Sequence, residues 1–292
     1  MMKVICGFTI PITKYGLPPS IDNILKVMGE VKDAGFDCLE MEIEAGDQEY
    51  ISRWDEVIAR SKEIALKIPS IMGVAYTMFS LDAKVQKQTV EQFAQICEMN
   101  KRIGSKLVTL CFYLPPELIP DVRTELYKGG PPVEVKVPDG FTWQQLRKIL
   151  VKQLCKCADA AKKRKLDFAV ELRAGDFLSS IDGLISIFQE CRRSNMGVVM
   201  DVAHIHATKE YLEMAVLKLG KKYLTLVHLS DNDGTQAYHR APGSGNINFP
   251  KVIGMLKKVG YKGNLVVDIS GIPDIMNEAV KMKAMLDGLI KG

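Results

Sequence analysis

Eight short apolar runs alternate with longer helical patterns from one end of this chain to the other, and that alternation limits the fold more than any other feature. The runs are VICGFTI from Val4, CLEMEIE from Cys38, IPSIMGV from Ile68, KLVTLCF from Lys106, DFAVEL from Asp167, MGVVMD from Met196, YLTLVHL from Tyr223 and NLVVDI from Asn264. Short, rich in aliphatic and β-branched residues and apolar on consecutive positions, they read as strands covered on both faces. The stretches between them, such as IDNILKVMGEVKDAG and VEQFAQICEMNKRIG, space their apolar residues three and four apart and several end at Gly, the pattern of amphipathic helices. Strict strand-helix alternation calls for a parallel sheet, and eight strands close a barrel of this size. The expected fold is α/β, a single (β/α)8 TIM barrel, with one domain over residues 1–292. A doubly wound open sheet normally uses fewer strands and often carries a Gly-rich phosphate loop after its first strand. Here GFTIPITKYG spaces its glycines too widely for that loop.

One connection breaks the rhythm. Residues 113–141, after the fourth strand, form a long proline-rich insertion. At that position it belongs to the carboxyl face of a barrel, where active sites form, so it reads as a lid, a subunit contact or a tolerated surface insertion.

Composition excludes more than it assigns. Charged residues make up 25% and hydrophobic ones 47%, the balance of a globular protein with a sizeable core. The formal charge of +4 is spread along the chain, and its densest cluster, Lys162 to Lys165, suits a solvated helix end, so no nucleic-acid partner is implied. Seven scattered cysteines suit buried free thiols in a reducing compartment, and Cys155 and Cys157, two apart on a helix, make a poor metal pair. MMKVICGFTI stops at Pro11 and reads as a strand rather than a signal peptide, and no run reaches membrane-spanning length. The expectation is a cytoplasmic protein with no membrane partner.

In a barrel, side chains at the carboxyl ends of the strands converge on one pocket. Strand five, DFAVELRAG, ends in Glu171 and Arg173; strand six, GVVMDVAHIHA, in Asp201, His204 and His206; strand seven, LTLVHLSDNDG, in His228; strand eight, NLVVDIS, in Asp268. Singly, such a carboxylate usually caps a helix. Four ligand-type groups at the ends of four successive strands are hard to obtain from capping. Three carboxylates and an imidazole make an oxygen-rich set with one nitrogen that suits Mn²⁺, Mg²⁺, Co²⁺ or Zn²⁺, with Mn²⁺ the leading expectation. A divalent cation also removes the mutual repulsion of carboxylates held so close. His204 could bind metal or contact substrate, and His206, deeper in the following helix entry, reads as structural.

With Glu171 in VELR, Asp201 and His204 in DVAHIHA, His228 in VHLSDNDG and the HRAPGSGNINF segment, the chain resembles the xylose isomerase-like barrel superfamily. That group includes D-tagatose 3-epimerase and hydroxypyruvate isomerase types, inosose dehydratase and endonuclease IV. The resemblance covers nearly the whole chain in architecture, with its motifs between residues 167 and 270. It implies that Glu171, Asp201, His228 and Asp268 bind the divalent metal, that His204 and Arg173 contact substrate, and that Asn248 and Phe249 open a helix after a PGxGxxxF-like turn. His239 matches a metal position of the endonuclease type and is expected here to face substrate. Its expected acidic neighbour is Ala237, and no His follows strands three or four, which disfavours an endonuclease IV-like site. The eighth-strand position is Glu in the epimerases and Asp268 here. The shorter arm withdraws the carboxylate by about 1.5 Å, whereas proton transfer needs approach near ~3 Å.

The resemblance implies a metal-dependent sugar isomerase or epimerase acting on a ketose or keto-polyol. The cation would polarise a carbonyl and stabilise an enediolate, with Glu171 the leading base and Asp268 the second acid or base. Elimination shares that first step, so the alternative is a lyase of the inosose dehydratase or 3-keto-glycoside deglycosidase type, with a homodimer or a small partner subunit as the assembly expectations. A non-catalytic sugar-binding barrel is the third reading.

Overall fold

The computed structural model describes residues 1–111, 113–119 and 134–292. Its strands are β1 (Lys3–Cys6), β2 (Met41–Glu44), β3 (Ser70–Val74), β4 (Leu107–Cys111), β5 (Asp167–Glu171), β6 (Met196–Asp201), β7 (Leu224–Leu229) and β8 (Asn264–Val267). Its helices are α1 (Thr9–Tyr15), α2 (Ile21–Asp33), α3 (Gln48–Glu63), α4 (Ala83–Ile103), α5 (Trp143–Lys163), α6 (Ile181–Cys191), α7 (Val202–Ala207), α8 (Leu212–Tyr223), α9 (Phe249–Lys258) and α10 (Ile275–Lys291). All strand pairs are parallel, in the order β1-β8-β7-β6-β5-β4-β3-β2. A parallel bridge from Cys6 to Leu39 then links the two end strands, with Cys6 N donating to Cys38 O at 3.0 Å and Glu40 N to Cys6 O at 2.9 Å. The fold is the expected (β/α)8 barrel. Of the proline-rich insertion, residues 120–133 lie outside the described residues.

The two-residue strand period sorts the core into two layers. Ile5, Cys38, Leu107, Ala169, Val199, Leu226 and Val266 pack together as one floor inside the barrel. The intervening residues, among them Val4, Leu39, Val108, Phe168, Val198, Val227 and Leu265, join the larger core with the helices. Above the floor the same inward positions turn polar: Glu40 and Ser70 from the β2 and β3 side, then Glu171, Asp201, His228 and Asp268, each at most 6% exposed. An apolar floor beneath a polar upper layer makes the carboxyl end a closed-bottomed cup.

Two sequence expectations need correction. The first apolar run does not continue as a strand: β1 ends at Cys6 and α1 starts at Thr9, with Pro11 inside its first turn. Proline is tolerated there because first-turn amides have no intrahelical acceptor. Second, CLEMEIE is not apolar throughout. Glu42 and Glu44 share the inner face of β2, with Glu40 just before it at the same parity, while Met41 and Ile43 face the helices.

Gly7, at the top of β1, explains how closely that strand meets β8. Its amide donates to Val267 O at 3.0 Å, and a Cβ there would lie 2.4 Å from that same oxygen. Gly7→Ala should therefore push β1 from β8 and destabilise the fold by about 1–3 kcal/mol, the range for overpacking. A urea midpoint equal to the wild type's would show that this seam tolerates the methyl group.

Candidate active site

Each strand end delivers its polar side chain for a local reason. Asp201 is the last residue of β6 and the N-cap of α7, its Oδ1 accepting from Ala203 N at 2.7 Å and His204 N at 3.0 Å. Those bonds fix the carboxylate and aim Oδ2, buried and without a hydrogen-bond partner, into the cup. Asp231, just beyond β7, accepts from Gly243 N at 2.8 Å, Gly245 N at 3.0 Å and Ile247 N at 3.1 Å, folding the PGSGNIN segment back over the barrel. Asn248 then caps α9 through Lys251 N, as the sequence suggested. The returning loop carries His239 on a left-handed backbone, φ 48°, a conformation that a histidine adopts only under constraint.

The singled-out side chains lie together. His228 Nδ1 is 3.2 Å from Glu171 Oε1 and 3.5 Å from Asp268 Oδ2. His239 Nδ1 lies 3.0 Å from Asp268 Oδ2, 3.1 Å from the Asp268 carbonyl, 3.3 Å from Ser230 Oγ and 4.0 Å from Asp201 Oδ2. His204 packs edge-on against His239 with ring centroids 5.0 Å apart, and its Nδ1 accepts from Ala174 N at 3.1 Å. Arg173 lies over the Tyr113 ring, 5.3 Å from its centroid. His206 stands apart, its Nε2 2.6 Å from Asn246 Oδ1. One ligand-type atom from each of Glu171, Asp201 and His228 lies within 4.8 Å of the other two, and Asp201, His204 and His239 form a second such trio.

Three further residues belong to this site and were not singled out from the sequence. Glu40 Oε2 lies 2.9 Å from His228 Nε2, and Glu40 Oε1 accepts from Ser70 Oγ at 2.9 Å. Glu42 stands one inward step higher on β2. The Cys111 thiol contacts Glu171 Oε2 and Met72 Sδ, each at 3.1 Å. The signal for the glutamates was present in LEMEIE, acids at a two-residue period. A thiol inside an apolar run carries no comparable signal.

Burial and crowding perturb nearly every titrating group here. Burial pushes Asp201 up to about 7, with the Asp268 and Glu171 charges adding to it against the pull of His239 and His228. Burial likewise raises Glu42 to about 8, reinforced by Glu171. Burial acts against the charged form of Glu171 too, but the His228 contact and charge outweigh it and hold this carboxyl at about 2. Asp268 falls well below the usual range because His239 and His228 outweigh its burial. The imidazoles divide: burial lowers all three, Glu40, Asp268 and Glu171 override it at His228, Asp268 and Asp201 take His239 to about 9, and His204, beside the His239 charge, stays well below the ordinary value.

The sequence profile of the xylose isomerase-like TIM barrel family matches residues 28–286. This chain belongs to that family. An uncharacterised protein of Methanocaldococcus jannaschii is 32% identical over 107 residues, 36% of this chain, and the match spans only 35% of that protein's length. The L-ribulose-5-phosphate 3-epimerase of Salmonella heidelberg is 21% identical over 261 residues, covering 86% of this chain and 84% of that enzyme. Among solved structures, an L-ribulose 3-epimerase superposes with a TM-score of 0.76 at 17% identity, over 100% of this chain and 95% of that one. Identity that low establishes the shared barrel. Within this family barrel, no helix among the described residues is long and apolar enough to cross a membrane.

Metal-free protein should show the charge crowding as a pH-dependent stability. Asp201, Glu42 and His239 keep protons when folded up to about 7, 8 and 9, whereas the unfolded chain releases them near 3.8, 4.5 and 6.5. Stability falls with pH wherever the folded state binds more protons. The depressed groups, Glu171 and Asp268, add stability that is complete once pH exceeds their unfolded values, 4.5 and 3.8. His204, held below its ordinary 6.5, works the other way below that pH but is outnumbered by Asp201 and Glu42. The melting temperature of chelator-treated protein is therefore expected to fall from about pH 5 to about pH 9, and a flat or rising profile would contradict this account of the cup.

Proposed function

We propose that this protein is a divalent-metal-dependent isomerase or epimerase of a ketose or keto-polyol. The observation that carries the reading is a pair of buried ligand-type atoms without hydrogen-bond partners beside the Glu171 carboxylate: Asp201 Oδ2 and His228 Nδ1. Buried polar atoms are normally satisfied, and a carboxylate-rich set with one imidazole suits a cation such as Mn²⁺. Glu171, Asp201 and His228 would hold it, with Asp268 beside them. When bound, the cation supplies Lewis-acid polarisation of a carbonyl and balances the negative charge that forms next to it.

Glu171 stays ionised and is the base that removes the proton from the carbon beside the carbonyl. Return of that proton to the neighbouring carbon gives an isomer; delivery of a proton by a second acid to the opposite face of the same carbon gives an epimer. Asp268 is the second acid or base. His204, whose Nδ1 is occupied by the Ala174 amide, is left with its Nε2–H to donate to a substrate oxygen. Arg173 and His239 hold further substrate oxygens. Support for sugar chemistry also comes from two of the relatives, which are named as epimerases of L-ribulose and its 5-phosphate. The seven free cysteines, six of them buried, support a reducing, cytoplasmic setting.

Metal analysis of the purified protein, repeated on His228→Ala, tests the cation: about one equivalent in the wild type and a large loss in the variant are expected. Exchange of the α-proton of free ketoses with solvent deuterium tests the chemistry. Glu171→Gln should slow that exchange by about 10²-fold or more, the usual contribution of a positioned base. Equal, negligible metal in both proteins, or exchange unaffected by Glu171→Gln, would overturn the proposal.

A further inference from the structure

Glu40 is a carboxylate only 3% exposed, deep inside the barrel, and it lies on the far side of His228 from Glu171 and Asp268. A charge so deep is costly unless something nearby needs it. Two contacts define its surroundings: the Ser70 hydroxyl donates to Oε1 at 2.9 Å, and Oε2 lies 2.9 Å from His228 Nε2. Ser70 is itself 1% exposed and begins β3, and Glu40 is tied into the barrel by its own amide bond to Cys6 O. The carboxylate is thus fixed from two strands before it meets the imidazole. The contact is close, yet neither nitrogen of the ring makes an aligned hydrogen bond in this arrangement.

We propose that Glu40 is the positioning residue of the site, accepting from His228 Nε2–H so that Nδ1 is the nitrogen presented to the cation. This rests on the metal-dependent reading above. A neutral imidazole carries one N–H and one lone pair, and which nitrogen keeps the proton is decided by the partner of the other. On the Nδ1 side stand Glu171 and Asp268; on the Nε2 side stands Glu40. A carboxylate cannot donate, so Glu40 holds the proton on Nε2 and leaves the Nδ1 lone pair facing the cation-binding carboxylates. Partners of this kind orient a metal-binding imidazole and raise its basicity, and losing one typically costs 10–100-fold in metal affinity. Glu40 acts through His228 and touches neither cation nor substrate.

The test compares Mn²⁺ binding by calorimetry in chelator-treated wild type, Glu40→Gln and Ser70→Ala. Glu40→Gln keeps the shape of the side chain but removes its charge and offers an amide that can face Nε2 either way. It is expected to bind Mn²⁺ about 10–100-fold more weakly at unchanged stoichiometry. Ser70→Ala, which only loosens Glu40, should weaken binding by a few-fold and remains decisive if Glu40→Gln does not fold, as judged by circular dichroism. Nitrogen-15 spectra of the Zn²⁺-loaded wild type should show the His228 proton on Nε2, a signature that a purely structural role for Glu40 leaves unspecified. Unchanged affinity in both variants, or a proton on Nδ1, overturns the assignment of Glu40 alone. A wild type that binds no Mn²⁺ overturns the proposed function and this inference with it.

Discussion

Negative charge held inside a barrel is the constraint around which the rest of this structure is arranged. Glu40, Glu171, Asp201 and Asp268 are all nearly or fully buried, and each lies within 4.0 Å of His228 or His239. Carboxylates gathered away from water repel one another and lose hydration, so some must keep protons, pair with imidazolium or share a cation. The first two responses appear together: Asp201 is pushed towards its neutral form while His228 and His239 are drawn towards their charged forms. The orphaned Asp201 Oδ2 and the misaligned His228 nitrogens are what those responses leave uncompensated.

The scaffold keeps the crowding from relaxing. Each acid sits on or at the end of a strand whose hydrogen bonds to both neighbours fix its position, so the carboxylates cannot spread apart without opening the barrel. Beneath them the apolar floor of Ile5, Cys38, Leu107, Ala169, Val199, Leu226 and Val266 shuts out water from the amino end. Above them Asp231, through three backbone amides, folds the loop that carries His239 over the cup. A charged cluster with rigid walls is suited to a cation. On the β3 and β4 side the wall is apolar instead, with Met72, Val74, Cys111, Tyr113 and Ile119 in one cluster. The upper barrel therefore has a polar side and an apolar side.

The half of the site on strands five to eight was legible in the sequence because each of those strands is apolar until its last residue or two, so Glu171, Asp201, His228 and Asp268 stand out against their own runs. Glu40 and Glu42 were harder to see. They lie among the residues that open β2 or fall within it, where an acid every second position resembles an amphipathic surface strand as much as an inner wall. Only closure of the barrel, which brings β2 round beside β1 and turns its even-numbered face inward, makes those acids internal. The boundary of the first run was misleading for a related reason: Phe8 and Ile10 are buried whether the backbone there is extended or helical, so apolar content could not show the turn into α1.

By itself the sequence determined the alternation of strands and helices, the barrel that eight such pairs close, and a set of acids and imidazoles at four successive strand ends, since all of these follow from period and order along the chain. Only the tertiary structure decided which nitrogen faces which carboxylate, that Glu40 meets His228 from behind, and that Asp268 is engaged by His239. The pairs Glu40–His228 and His239–Asp268 join residues 188 and 29 positions apart in the chain. No local periodicity encodes a distance of 3 Å between such residues; the curvature of the closed sheet does.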